Sequence, residues 1–347
     1  MTFLGIETSC DETSAAVVRN GREVLSCVVH TQPEHRRWGG VVPELASRCH
    51  VEKLPEIVRA AVSKSGVGWS GIDAVAATRG PGLASALLVG WSAAKGIALS
   101  RGIPLVAVNH IEAHLHSVFL DPEAPDPAEC HPMVGLAISG GHTNLFRVDA
   151  PGKIALVGRT VDDAAGEALD KAAKLLGLGY PGGPVIDRIS RGLEPREGVF
   201  PEGRVRDGAS CGALDPALCT SFSGLKTALL TRVKANPPSD DAETARLACD
   251  YQAAVVGAVV RRCERALEKF ASARCLAVGG GVSLNSLLRS ELRRLAERKG
   301  VRLLLARPEH CGDNAAMIAG LAGTGRGIVS PASFDLDVEP SWPVEAS

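Results

Sequence analysis

The stretch FLGIETSCDETSAAVV, residues 3–18, reads as an apolar strand, a polar turn and a second apolar strand. GLAISGGHTNLFRV, residues 135–148, repeats that grammar, with Gly140-Gly141 as its hairpin turn. The two hairpins open the two halves of the chain. Strand patterns such as IDAVAAT, IPLVAV and VRLLLA alternate with helix patterns. CLAVGGGVSLNSLLRSELRRLAERKG reads as a strand, a triple glycine and an amphipathic helix ending near Gly300. Such alternation predicts an α/β protein. Its duplication predicts two lobes with a cleft between them and both hairpin turns facing that cleft.

A length of 347 residues suffices for two lobes with ample core. Acidic, Pro-rich DPEAPDPAECHP (121–132) reads as a linker between the halves. Residues 194–219 lack periodicity and read as a long surface loop. The expected division is an N-terminal lobe over 1–130, a C-terminal lobe over 131–325 and a peripheral tail over 326–347. The last helices before the tail have the option of packing back on the first lobe.

Composition narrows the function classes. Hydrophobic residues make up 45% and aromatics only 4%, so the core is built from Ala, Val, Leu and Ile. A net charge of -1 demands no nucleic acid or acidic membrane globally, and any such contact must use a local patch. The patches on offer are EHRRWGG (34–40), Arg204 with Arg206, and Arg261 with Arg262; for the last pair a solvated helix face is the commoner use. MTFLGIETS enters a strand pattern at once, so no signal peptide is expected. Leu83–Ala94 is too short an apolar run to span a bilayer and reads as a buried helix. The ten cysteines show no C-x-x-C spacing, which argues against a structural zinc site and for small buried residues in a reducing cytosol.

Three of the nine histidines fall in VNHIEAHLHSV, residues 108–118. A helix advances about 100° per residue, which puts His110 and His114 about 40° apart on one face and His116 nearly opposite. Asn109 fits an N-cap, with Glu112 completing a variant capping box. Because Glu112 is not adjacent to His110, the pattern is not the H-E-x-x-H of zinc proteases. A third ligand is available from EHCGDNAAMIAG as His310, Cys311 or Asp313. Spacing does not choose among them, and Asp313 also fits the N-cap of the next helix.

Other stretches carry chemistry. TSCDETS packs Asp11 and Glu12 into one turn, where adjacent carboxylates orient a metal-bound water or act as a base, although Asx-turn chemistry is the commoner use. ISGGHTNL lets backbone approach an anionic ligand, with Ser139 and His142 as added donors; an ordinary hairpin turn fits equally well. VGGGVSLN leads a strand into a helix with Ser283 near its N-cap, an anion or nucleotide site in which Asn285 reaches a ribose or a base. It is neither a Walker loop nor G-x-G-x-x-G. DDAAGEALDKAAKLLGLGYPGGP places Asp163, Glu167, Asp170, Lys171 and Lys174 on a helix. Glu167–Lys171 and Asp170–Lys174 are spaced as surface pairs, and GYPGGP reads as a shaped loop lining a pocket.

Taken together, GIETSCDETSAAVV, GGVVPELASR, GPGLASALLVG, NHIEAHL, ISGGHTNL, DDAAGEALDKAAKLLGLGYPGGP, SFSGLKTAL, GGGVSLN and CGDNAAMIAG resemble, in order, the bacterial-type tRNA N6-adenosine threonylcarbamoyltransferase family, from residue 4 to about 320. An older name for it is the O-sialoglycoprotein endopeptidase family. The resemblance implies a duplicated actin / sugar-kinase / Hsp70-like α/β fold, two lobes around a nucleotide cleft. It implies transfer of threonylcarbamoyl from threonylcarbamoyl-AMP, made by a separate synthase, to N6 of adenosine 37 in tRNAs reading codons that start with A, with release of AMP. By position it implies His110, His114 and Asp313 as ligands of one divalent metal, iron(II) first and zinc second. Ile138, Ser139, Gly140, Gly141, His142, Asp170, Gly183, Asp187 and Asn285 would bind the adenylate, and Asp11 and Glu12 would be the acids near the reacting centre. The implied setting is cytoplasmic, without a membrane, with tRNA, a paralogous pseudo-enzyme and a small ATPase as partners.

The chain departs from the pattern in places. Many bacterial members read ASRDH where this chain has ASRCH, so Cys49 replaces an acid. Residues 194–219 are longer than usual, and His116 has no counterpart. Three rival readings are a metal-dependent peptidase, an ATPase or kinase of the same fold, and a non-catalytic scaffold. The displaced Glu112 argues against the first, the histidine pair against the second, and the intact ligand residues against the third.

Overall fold

The computed structural model describes residues 1–38, 40–205 and 211–344. Arg206, Gly39 and the side chain of Arg36, all within the basic stretches singled out above, lie outside the described residues. The described residues divide into two compact units, Met1–Glu129 together with 306–344, and Cys130–Leu305.

The first unit opens with β1 (Thr2–Glu7), β2 (Glu12–Arg19) and β3 (Glu23–Thr31), followed by α1 (Pro43–Lys64), β4 (Ala74–Gly80), α2 (Ala84–Arg101), β5 (Leu105–Asn109) and α3 (His110–His116). A short α4 (Pro127–Cys130) ends at the division in the chain. The second unit holds β6 (Met133–Ile138), β7 (Thr143–Ala150), β8 (Lys153–Arg159), α5 (Ala165–Leu175), α6 (Gly182–Ile189), α7 (Ser223–Ala235), α8 (Asp241–Lys269), β9 (Cys275–Gly279), α9 (Ser286–Lys299) and β10 (Arg302–Leu305). The chain then returns to the first unit with α10 (Ala315–Ala322), β11 (Ile328–Val329) and α11 (Ala332–Asp335).

Among the described residues the strand orders are β11-β5-β4-β1-β2-β3 and β10-β9-β6-β7-β8. Apart from β11 they correspond strand for strand. In each sheet the opening hairpin is antiparallel, and β4 and β9 run parallel to β1 and β6 respectively. The duplication read from the hairpins is thus present in full topology.

Period-two alternation explains how the first sheet is covered on both faces. Leu4 and Ile6 face Leu54, Val58 and Trp91 of α1 and α2. Phe3 and Val18 face Ala315, Met317 and Ile318 of α10. The second sheet packs Val134, Leu136 and Val278 against Leu169, Tyr251, Val255 and Leu292. Few of these side chains are aromatic, as the composition required. The apolar run expected to be a buried helix is α2, buried at Leu87, Trp91 and Ala94 and exposed at Leu88, so it is covered on one side rather than all round. No helix among the described residues is long and apolar enough to cross a membrane.

Three local expectations need correction. Asp163 lies before α5, not on it, and pairs with Lys171 (2.7 Å) and Lys226 (3.4 Å). Glu167–Lys171 forms at 2.6 Å, but Asp170 turns away from Lys174, as described below. Arg262 is buried, not on a solvated face. Its guanidinium donates to Cys219 O and Gly203 O at 2.9 Å each and so ties down the aperiodic loop.

Candidate metal centre and acid turn

Asn109 ends β5 and caps α3, its Oδ1 accepting from Ile111 N at 3.0 Å and Glu112 N at 3.2 Å. The Glu112 carboxylate meets Arg326 Nε at 3.0 Å instead of completing the expected capping box, so Asn109 alone caps the helix. His110 and His114 are buried on one face, their ring centroids 4.6 Å apart. His116 turns the other way and faces Gly21 O at 3.2 Å, and burial pushes its pKa down to about 4. The helical arithmetic sorted the three histidines correctly.

Asp313 approaches from the turn before α10. Its Oδ1 lies 3.1 Å from His114 Nε2 and 3.6 Å from His110 Nε2, and the ligand atoms of the three residues all fall within 4.8 Å of one another. Asp313 does not cap α10. Asn314 does, accepting from Met317 N at 3.1 Å, which leaves the Asp313 carboxylate for the histidines. The other two ligand candidates are outside this group: Cys311 Sγ points to Ala306 O and Arg307 O, and His310 is buried elsewhere.

Glu7, which the sequence reading passed over, completes the arrangement. Fully buried at the end of an apolar strand, it accepts from Thr78 Oγ1 at 2.6 Å, Ser9 N at 2.5 Å and His110 Nδ1 at 3.0 Å. That last bond puts a proton on Nδ1 and turns Nε2 toward Asp313, the carboxylate–histidine arrangement that orients metal-binding imidazoles. Burial alone would push His110 down, but the Asp313 and Glu7 carboxylates outweigh it and hold its pKa up at about 9. Glu7 is the reciprocal case: burial pushes it up, and His110 pulls it below the usual range. Burial holds His114 low, so it stays neutral beside its partner.

The turn between β1 and β2 carries Asp11, and Glu12 follows it as the first residue of β2. Burial, then the charges of Asp313 and Asp11, raise Glu12 well above the ordinary carboxyl range. An excess of carboxylates around two imidazoles fits a divalent cation, and two Nε2 atoms with one carboxylate oxygen form a borderline donor set suited to iron(II) or zinc. A buried relay braces the turn from behind. Val42 N donates to His35 Nδ1 (3.2 Å), His35 Nε2 meets Gln32 Oε1 (2.9 Å), and Gln32 Nε2 reaches Ala46 O (3.2 Å) and His50 Nδ1 (3.4 Å). His50 closes on Thr13 Oγ1 (2.7 Å) and Cys10 O (2.9 Å). Cys49, beside it, lies 3.8 Å from His30 Nε2.

In the second unit Ile138–His142 follow β6 and Asn285 follows β9, at the strand ends where ligands of open α/β sheets bind, and Asp187 joins Asn285 through Ser286. Ser139 N donates to His142 O at 2.8 Å and closes the hairpin turn after Ile138. Gly140 and Gly141 are exposed, and a Cβ on either would meet nothing within 4 Å, so the space over them is open. Asp170 Oδ1 accepts from Gly182 N (2.7 Å) and Gly183 N (3.2 Å) and fixes the start of α6. Asp187 Oδ1 accepts from Ser286 N (3.0 Å) and Ser286 Oγ (2.7 Å). Asn285, not Ser283, caps α9, and its Nδ2 donates to Gln252 Oε1 at 2.8 Å. These polar side chains hold the loops in shape, and Ser283 lies in the 3-10 turn before the helix.

The profile of the tRNA N6-adenosine threonylcarbamoyltransferase family matches residues 23–320. A protein of that name from Geobacter sp. (strain M21) is 47% identical over 346 residues, 99% of this chain and 97% of its own. Another from Anaeromyxobacter dehalogenans (strain 2CP-C) is 50% identical over 342 residues, 98% of each. Among solved structures, the activator of the 2-hydroxyisocaproyl-CoA dehydratase from Clostridium difficile with bound ADPNP aligns over 94% of this chain and 95% of its own, with TM-score 0.54 and 15% identity. At that identity it shows the fold alone, the duplicated actin / sugar-kinase / Hsp70-like α/β fold.

Proposed function

The chain belongs to the tRNA N6-adenosine threonylcarbamoyltransferase family, and on that premise we propose that it moves threonylcarbamoyl from threonylcarbamoyl-AMP to N6 of adenosine 37 in tRNAs reading codons that begin with A, releasing AMP. The observation that carries the reading is the convergence of His110 Nε2, His114 Nε2 and Asp313, with Glu7 seated on His110 Nδ1.

The adenine N6 lone pair is delocalised into the ring, so the amine is a weak nucleophile and the acyl side needs activation. AMP provides a leaving group. The backbone at Gly140 and Gly141 has open space over it, and donors preorganised there would stabilise the departing charge of a phosphate. His110, His114 and Asp313 would hold one divalent cation, iron(II) or zinc, which when bound supplies Lewis-acid polarisation of the acyl oxygens. Glu12 would accept the N6 proton. Its raised proton affinity suits a base once cationic charge beside Asp313 lowers it toward working pH. Asp11 precedes it in the turn and would position the amine. Asp170, Gly183, Asp187 and Asn285 would shape the adenylate pocket through the loops they hold. The acceptor would be brought by tRNA-binding partners, a pseudo-enzyme paralogue and a small ATPase, because the net charge of -1 gives little attraction for RNA.

The test is single-turnover transfer from preformed threonylcarbamoyl-AMP to unmodified tRNA, in the presence of the partner proteins. Loss of at least about 100-fold is expected for His110→Ala, in line with loss of a metal ligand. Unchanged transfer by that variant after chelation would overturn the metal role. A full rate in Glu12→Gln would remove Glu12 as the base. The peptidase alternative loses ground because the Glu112 carboxylate, its only nearby candidate base on α3, is held by Arg326.

A further inference from the structure

The stretch expected as a peripheral tail packs on the first unit from Arg326 to Pro343. Arg326 Nε holds Glu112 at 3.0 Å. β11 pairs with Val106 and Ala107 of β5, and Ser330 N and Ser333 Oγ both donate to Leu105 O at 2.9 Å. Leu336 O accepts from Trp91 Nε1 (3.1 Å) and Lys95 Nζ (2.8 Å). One side chain then gathers the rest. Arg79 donates through Nε to Asp337 O at 2.8 Å, pairs with Glu339 at 2.9 Å, and stacks over the Trp342 ring at 4.7 Å. The segment ends on Asn109, whose Nδ2 donates to Trp342 O and Pro343 O at 3.3 Å each.

Asn109 is therefore used on both sides of its amide. Oδ1 caps α3, while Nδ2 is held from outside. A planar amide cannot turn one end without the other, so whatever fixes Nδ2 fixes the cap. Glu112, three residues on, is held by the other end of the same segment. The two contacts bracket His110. Arg79 is suited to a fastening role because its planar fork can bond in two directions and stack at the same time.

We propose that residues 326–343 form a positioning strap for the metal-binding helix, fastened by Arg79 and acting on His110 through Asn109 and Glu112. The inference rests on the metal reading of His110, His114 and Asp313. A segment that merely covers apolar surface would add stability to the unit as a whole. A positioning strap sets the geometry of α3 in particular, and its loss weakens metal binding and loosens that helix selectively.

The experiment uses the full chain, with Zn²⁺ alone as the probe, and compares Arg79→Ala, Asn109→Ser and the double variant with wild type. Asn109→Ser keeps a capping oxygen and removes only the outward donor. Each single variant is expected to bind Zn²⁺ about tenfold more weakly, as outer-shell losses do. The double variant should match the weaker single one to within about twofold, since both act along one route. Hydrogen exchange of the amides of His110–His116 should quicken in each while those of α1 stay unchanged. Arg19→Ala, which breaks a surface pair with Glu23, is the control and should change neither readout. Wild-type affinity and wild-type α3 exchange in both single variants would overturn the strap. Should Arg79→Ala not fold, Asn109→Ser and Trp342→Leu decide the question on the same readouts. Should wild-type Zn²⁺ binding prove indifferent to His110→Ala, the metal reading falls, and α3 exchange alone judges the strap.

Discussion

The proton positions around His50 follow from two backbone groups. Val42 N–H can only donate, so His35 Nδ1 accepts and carries its proton on Nε2, where it meets Gln32 Oε1. The Gln32 amide nitrogen must then face His50 Nδ1, which leaves the His50 proton on Nε2 for Cys10 O. A second proton on His50 would set Nδ1–H against the Gln32 donor and force the Thr13 hydroxyl, 2.7 Å from Nδ1, to turn from donating to accepting. The network therefore holds a neutral ring, and burial, the largest influence, lowers the His50 pKa below its ordinary 6.5. A folded-state pKa below the unfolded value means that the unfolded chain binds more protons under pH 6.5. Stability from this site is thus complete above pH 6.5 and is lost as pH falls toward the folded-state pKa. Urea melts of wild type should weaken between pH 7.5 and about 5.5, and His50→Gln, which has no titrating ring, should be less stable at pH 7.5 but flatter across that interval. Equal slopes in both proteins would mean that His50 does not set the acid limb.

At the scale of elements, the two hairpins and the strand–helix alternation were legible because both faces of each strand are written in a period of two. Helix starts were less so. Asp313 and Asn314 are both good caps, as are Ser283 and Asn285, and composition does not separate them. The backbone does: Asn314 has φ −153° and ψ 153° at the turn into α10, and Asn285 has φ −57° and ψ 124° at the turn into α9. His110 and His114 were readable from spacing, but Asp313 needed the family resemblance and Glu7 was missed. A lone acid closing an apolar strand gives no periodic signal, and its partners, Thr78 and His110, are 71 and 103 residues away. Glycines show the same limit, since the letter is identical where the reason differs. Gly280 has φ +99°, and a Cβ there would strike the Ile138 carbonyl. Gly140 has open space over it. Gly280→Ala should lower stability by about 2–4 kcal/mol, from strain plus the clash. Gly140→Ala should stay within about 0.5 kcal/mol of wild type, as surface changes do, yet bind AMP more weakly. Paired thermal melts and AMP titrations would test the contrast; a stable Gly280→Ala protein, or unchanged AMP binding in Gly140→Ala, would contradict it.

At the scale of the whole chain, the proposed roles divide between the two halves of the duplication. The strand orders match, yet the turn after the first strand of each unit differs in kind. The first carries Asp11 and leads into Glu12, and the second carries Gly140 and Gly141. The candidate metal triad and its supporting Glu7 come entirely from the first unit, although Asp313 lies 199 residues beyond His114. The chain reaches that position by returning to the first unit after β10, so a ligand far away in sequence is local in the fold. The expected adenylate residues, from Ile138 to Asn285, come entirely from the second. Each proposed ligand should therefore stabilise a different part of the molecule. A ligand at 100 times its Kd stabilises what it binds by about 2.7 kcal/mol, which slows exchange through unfolding of that part about 100-fold. Zn²⁺ without nucleotide should protect amides of β1, α3 and α10 and leave Ile138–His142 at the wild-type rate. AMP without metal should do the reverse, protecting the β6–β7 turn and the segment around Asn285. Equal protection of both units by Zn²⁺ alone would show that the two sites answer to one cooperative unit. Protection of the first unit by AMP alone would place the nucleotide at the acid turn and remove the second-unit loops as its binding site.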